Sequence, residues 1–253
     1  MAEVLDAIEM ETGRNPTASV IWMHGLGADG NDFAPIVPAL QLPKTAIRFV
    51  FPHAPVQPVT INGGMPMRAW YDISDGAIRR EDERGVRASQ KLIEALIARE
   101  NERGTSAERL VLAGFSQGGA IALQTGLRHR QRIAGVMALS TYLPIADKFP
   151  AEAAAANRDV PIFMAHGSYD PVIALERAEE SRALLQFADG RGACSGPRNR
   201  LGGKSRGGNR LTRFRLFSWG FYGFQLLTSR YKLRACGRLA QSGTCCGPNS
   251  IPL

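Results

Sequence analysis

Residues 110–120 read LVLAGFSQGGA, an apolar run closing on Gly114-Phe115-Ser116-Gln117-Gly118. A serine with glycines two positions before and two after suits a tight turn from a strand into a helix. Such a turn strains its central residue and lifts the hydroxyl above the sheet, placed to attack an acyl carbonyl. The helix start behind Ser116 adds free N–H groups and a positive dipole end where negative charge develops. The same five-residue pattern also occurs in ordinary turns, and the strand before it and helix after it favour the nucleophile. A serine nucleophile needs an orienting acid, a base and donors for the oxyanion. Asp170, in HGSYDPVI, follows the apolar run 160–165 and so sits at a strand's carboxyl end, where parallel sheets gather functional groups. Its plain alternative is an Asp-Pro turn. His24-Gly25-Leu26-Gly27 follows an earlier apolar run, which makes the backbone N–H groups of Leu26 and Gln117 the candidate oxyanion pair.

These groups depend on elements to hold them. Short apolar runs at 18–23 (ASVIWM), 47–51 (IRFVF), 110–115, 133–139 and 160–165 read as buried strands. Between them lie stretches of helical character. Residues 32–40 suggest a short helix capped by Asn31. Residues 82–103 place Val86, Leu92, Ile93, Leu96 and Ile97 on one face before Gly104 ends the helix. Residues 117–128 follow the serine. Residues 173–187 offer Ala174, Ala178, Leu184 and Leu185 as apolar positions. The alternation gives an α/β class with a doubly wound, mostly parallel sheet.

The chain has 253 residues and a net charge of +8, but two compositions are joined near Phe187. Residues 1–187 hold 19 basic and 22 acidic side chains, a net of −3; residues 188–253 hold 12 and one, a net of +11. All four cysteines and 12 of the 27 glycines lie in that second part. The division expected is an α/β domain over 1–187 and a basic, irregular tail over 188–253. No apolar run approaches the ~18–20 residues of a membrane span. The start carries two early acids and no basic-then-apolar pattern, so a cytoplasmic location is expected.

The segments HGLGADGNDF, FPHAPVQPVTINGGMPMRAWYDI, GFSQGGA and HGSYDPVI, in this order, resemble the carboxylesterase and acyl-protein thioesterase family of α/β-hydrolases. The resemblance covers nearly all of residues 1–187. It implies a hydrolase of carboxylic esters or thioesters that uses neither cofactor nor metal, acting on a small-molecule or lipid-like acyl substrate. By the same resemblance Ser116 is the nucleophile, Asp170 the triad acid, and Leu26 and Gln117 the oxyanion donors. Trp70, in AWYDI, matches an aromatic residue near the acyl site, with core packing as its other reading.

The base is the difficulty. The sequence has four histidines, His24, His53, His129 and His166, and none follows Asp170. His24 belongs to the oxyanion loop, His53 to a proline-flanked turn, and His129 to a solvated helix end. His166 precedes Asp170 by four residues and is the one substitute within reach in sequence. In the family the catalytic histidine follows one more strand, and a helix closes the fold. Here the chain instead continues ADGRGACSGPRNRLGGKSRGGNR, and 211–234 follows neither a strand nor a helix period.

Three readings of the tail stand open. It could bind nucleic acid or an anionic surface through arginines and aromatic rings, on an inactive hydrolase scaffold. It could bind metal through its cysteines, although it lacks a paired C-x-x-C and any histidine. Or it is an out-of-frame product replacing the family's last strand, histidine loop and helix. The excess of Gly, Arg and Cys, the abrupt loss of acids and a join within the domain favour this last reading. The coding DNA beyond the Leu185 codon, read in the other two frames, is then expected to encode a strand, a histidine-bearing loop and a helix. Two frames without such a histidine would remove the frameshift reading.

Overall fold

The computed structural model describes residues 4–42, 46–74, 82–188 and 216–219. A seven-stranded sheet runs β1 (Ala7–Glu11), β3 (Ile47–Pro52), β2 (Ala18–Met23), β6 (Leu110–Phe115), β7 (Gly135–Leu139), β8 (Ile162–Gly167) and β9 (Leu216–Trp219). Only β1 is antiparallel, to β3; the other pairings are parallel. A separate hairpin joins β4 (Val56–Pro58) to β5 (Pro66–Arg68). The helices are α1 (Glu83–Glu102), α2 (Gln117–Arg128), the one-turn α3 (Phe149–Glu152) and α4 (Leu175–Ala188).

Strand alternation divides the core into two layers. Ile21, Met23, Leu110 and Leu112 point to the side packed by α1 and α2, where Val86, Ile93, Leu96 and Ile97 meet them. Trp22 and Ala113 point to the other side and join Phe33, Val37, Phe49 and Phe51. Helix α1 starts at Asp82, whose carboxylate accepts the Gly85 amide, and buries one apolar stripe. Each large aliphatic side chain on that stripe contributes about 1.5–3 kcal/mol on burial. Helix α2 is buried throughout residues 117–127.

Register carries the function. Met23 pairs with Gly114, Phe115 with Leu139, and Leu139 with Ala165. Strands β2, β6, β7 and β8 therefore end level, and the loops after them gather along one edge.

Some elements differ from the sequence expectation. Residues Ala34–Leu40 form a 3-10 helix rather than an α-helix, and no side chain caps it. Asn31 instead donates its backbone N–H and its side-chain amide to the Asp29 carboxylate. Pro35 and Pro38 lack the N–H groups an α-helix would need there. Strand β7 begins at Gly135 rather than 133, because the Ile133 amide is taken by Asn157 Oδ1 at 3.0 Å. Helix α4 leaves Ala174 outside. Along its face Ala178 and Leu185 are buried and Leu184 partly so, beside a buried Ser181.

The sheet does not stop at β8. Leu216–Trp219, from the stretch expected to be irregular, pairs in parallel with Met164–Gly167. An aperiodic sequence hides a four-residue strand, since two alternations are too few to show a period. The rest of the tail, with its irregular, metal-binding and polyanion-binding readings, lies outside the described residues. Among the described residues no helix is long and apolar enough to cross a membrane.

At the sheet edge opposite these loops, Glu100 is fully buried. Its carboxylate accepts Ser19 Oγ at 2.5 Å, Arg48 Nη1 at 3.0 Å and Arg103 Nη1 at 3.1 Å. This cluster fastens α1 to β2 and β3. Arg48 Nε also pairs with Glu11 at 3.0 Å and Arg103 Nη2 with Glu9 at 2.9 Å, so deleting Glu100 leaves both guanidinium groups with a partner and costs less than the ~3–5 kcal/mol of an uncompensated buried charge. Glu100→Ala is expected to lower stability by about 1–3 kcal/mol in urea unfolding, and a loss below about 1 kcal/mol would mean that the Glu11 pair alone satisfies Arg48.

Candidate active site

Ser116 sits between β6 and α2 with φ 52° and ψ −120°, a left-handed conformation that a residue with a Cβ avoids. The turn is held from both sides. Its N–H donates to Leu139 O at 2.9 Å, and its carbonyl accepts Ala120 N at 3.1 Å and Thr141 Oγ1 at 2.8 Å. The flanking glycines are there for space. A Cβ on Gly114 would lie 2.2 Å from the Gly118 backbone, and one on Gly118 would lie 2.3 Å from Met23 O.

The His24–Gly27 loop lies against this turn: a Cβ on Gly25 would sit 3.5 Å from Ser116 Cβ. Among the described residues no acceptor takes the N–H of Leu26 or of Gln117. The Gln117 side chain faces the other way and ties the turn to the chain before α1. Its Oε1 accepts the Trp70 N–H at 3.1 Å, and its Nε2 donates to Tyr71 O at 2.8 Å. Trp70 is 1% exposed, and its indole N–H donates to His24 O at 2.8 Å. Trp70 thus braces both loops from inside the core, the His24 loop through its indole and the Ser116 turn through its backbone N–H.

Asp170 sits in the turn after β8. Its Oδ1 accepts the Val172 and Ile173 amides at 2.9 and 3.0 Å, while Oδ2 lies 3.8 Å from His166 Nε2, beyond hydrogen-bond reach. Among the described residues no cluster of His, Cys, Asp or Glu could hold a metal ion.

Residues 6–193 match the phospholipase/carboxylesterase family over most of the chain. The chain belongs to that family. It is 43% identical to acyl-protein thioesterase 1 of Neurospora crassa over 181 residues, 67% of this chain and 74% of that one. It is 41% identical to the protein of the same name from Mycosarcoma maydis, over 71% of this chain and 80% of the relative. The crystal structure of Arabidopsis thaliana SOBER1 superposes with a TM-score of 0.64 at 29% identity, covering 68% of this chain and 84% of that one. The resemblance read from the four sequence segments is thus established, as is the α/β-hydrolase fold.

Within this family frame each histidine has a definite place. His24 is buried; its Nε2 accepts the Ala54 N–H at 3.0 Å, so Nδ1 carries the hydrogen and donates to Gly25 O at 2.7 Å. His53 Nδ1 accepts the Gly30 N–H at 3.1 Å. His129 does not end its helix in solvent: it is 8% exposed and its Nδ1 meets Glu94 Oε2 at 2.6 Å. The Asn157 side chain, which donates to His129 O, closes the chain over it. His166 is 2% exposed and its Nε2–H donates to Ile173 O at 2.8 Å, pinning the turn that carries Asp170. Among the described residues no histidine nitrogen is bonded to Ser116.

Thr141 and Tyr142 were not singled out from sequence. Both follow β7 at the same sheet edge, the signal that pointed to Asp170. Tyr142 meets the Tyr71 hydroxyl at 2.9 Å and stacks under the Arg177 guanidinium.

Burial lowers the His24 pKa from 6.5, with the Gly25 carbonyl opposing less strongly. A base with a depressed folded pKa leaves the unfolded chain binding more protons just below pH 6.5, so stability rises with pH there. The contribution is complete above about 6.5 and is lost as pH falls toward the folded value. Urea unfolding at stepped pH is expected to show this slope in the wild type and a shallower one in His24→Gln. Equal slopes in the two chains would mean that His24 is not held neutral.

Proposed function

We propose that this chain is built as a serine hydrolase of carboxylic esters or thioesters working through an acyl-enzyme, with its proton-transfer step impaired. The left-handed Ser116 between β6 and α2, with the Gly25 loop against it, carries the proposal. Ser116 Oγ adds to the acyl carbonyl and its proton must leave. The carbonyl oxygen becomes an oxyanion facing the Leu26 and Gln117 N–H groups, and the alcohol or thiol departs with a proton. Water then releases the acyl group as a carboxylic acid. Asp170, with Oδ1 fixed by two amides, is the acid that would orient a histidine through Oδ2. Trp70 backs the acyl side of the site. The names of the relatives point to acyl groups on protein thiols as one substrate class.

The impairment follows from the histidine inventory. His24, His53 and His129 are bonded elsewhere, and the Nε2 hydrogen of His166 is taken by Ile173 O. In a well-studied serine hydrolase, loss of a triad member leaves roughly 10³–10⁴-fold catalysis over water. The purified chain is therefore expected to turn over a short-chain aryl ester poorly, with little change in Ser116→Ala. Added imidazole, supplying the base from solution, is expected to raise turnover in the wild type beyond that in Ser116→Ala. Robust turnover without imidazole, abolished by Ser116→Ala, would show that one of the four histidines serves as base. No difference between the chains at any imidazole concentration would remove Ser116 as nucleophile.

A further inference from the structure

The two proposed oxyanion donors share a feature that neither side of the site explains alone. A peptide unit is planar and trans, so its C=O and the next residue's N–H point in opposite directions. Fixing the carbonyl therefore fixes the direction of the amide. The Leu26 N–H belongs to the peptide whose carbonyl is Gly25 O, and the Gln117 N–H to the peptide whose carbonyl is Ser116 O. Each carbonyl is gripped by a buried side-chain donor: His24 Nδ1–H on Gly25 O at 2.7 Å, and Thr141 Oγ1–H on Ser116 O at 2.8 Å. Each also takes one backbone amide, Ala28 N at 3.3 Å and Ala120 N at 3.1 Å.

We infer that Thr141 and His24 are positioning residues that aim the Gln117 and Leu26 amides at the oxyanion by holding the far ends of their peptide planes. The inference rests on the reading of those amides as oxyanion donors. Both side chains are held in place for this. Thr141 is 1% exposed, and its methyl fills the space that a Cβ on Gly119 would occupy, 2.7 Å away. Its hydroxyl is thus fixed toward the turn. His24 is 1% exposed, and the Ala54 N–H on Nε2 leaves Nδ1 as the protonated nitrogen. Depressed basicity keeps this tautomer near neutral pH. The two grips come from different strands' ends, β7 for Thr141 and β2 for His24, so each amide is set independently of the other.

The test measures affinity for a charged tetrahedral adduct rather than turnover, so it does not need a histidine base. An alkyl boronic acid forms a B–O bond with Ser116 Oγ. The serine proton passes to buffer, leaving a tetrahedral boronate with one negative charge at the oxyanion position. Full-length wild type, Thr141→Val, Thr141→Ser and His24→Leu are compared, with Ser116→Ala as the non-covalent baseline and a thermal melt for each. Deleting one oxyanion donor outright costs ~10²–10³-fold. Thr141→Val is accordingly expected to weaken boronate binding at least ~10-fold, with Thr141→Ser within about 3-fold of wild type. His24→Leu is expected to weaken it as well. If valine is not tolerated beside Gly119, Thr141→Ala removes the same hydroxyl. Wild-type affinity in a folded Thr141→Val or Thr141→Ala chain would overturn the positioning role while leaving the site intact. Wild-type binding no tighter than the Ser116→Ala baseline would overturn the oxyanion site and this inference with it.

Discussion

The N-terminus of α2 passes so close to the end of β2 that backbone meets backbone. A Cβ at Gly118 would lie 2.3 Å from Met23 O and 2.5 Å from His24 O, and one at Gly114 would lie 2.2 Å from Gly118. The chain must therefore leave β6, turn within one residue and enter a buried helix against a neighbouring strand. Only a left-handed central residue makes that turn, and Ser116 is the residue left to bear it. The strain is held by groups that arrive from every adjacent strand: Leu139 ending β7 and Thr141 just after it, the His24 loop after β2, and Trp70 through the Gln117 side chain. Helix α2, buried along nearly its whole length, cannot relax away from the sheet.

What sequence could reveal tracked the physics that produced it. The central parallel strands β2, β3, β6 and β7 were legible because they are largely buried on both faces and read as apolar runs, whereas the parallel edge strand β9 was not. The turn was legible because its glycines are demanded by contact with backbone, not by local propensity. Strand β1 was not, since AIEME is half polar and lies at an edge where only one neighbour constrains it. The cap assigned to Asn31 failed because two prolines set the geometry of the following turn more firmly than a side-chain hydrogen bond could. His129 looked solvated from its arginine neighbours, yet Glu94 and Asn157 reach it from distant parts of the chain. Thr141 carries no motif at all; its importance lies in a single hydrogen bond that register alone creates.

The composition changes near Phe187, close to where the family match ends at residue 193. Beyond that point four residues extend the sheet, pairing Leu216 with Met164 and Trp219 with Gly167. A strand added in parallel satisfies the outer N–H and C=O groups of β8 whatever the side chains are, because the ladder is made of backbone. Sheet continuity is thus less demanding of sequence than catalysis is, which needs one imidazole at one place.

The order of the parts along the chain has its own consequence. On the proposed function, every group that shapes a niche for a negatively charged tetrahedral group, from His24 through Thr141, is encoded in the first 141 residues, on strands that pair with one another. The proposed acid of the proton-transfer step, Asp170, comes only after them. Anion recognition and proton traffic are therefore separable modules, laid down in succession. A chain altered late keeps the first without the second. On the proposed reading, such an alteration would leave behind less a broken enzyme than a receptor for the shape of a transition state.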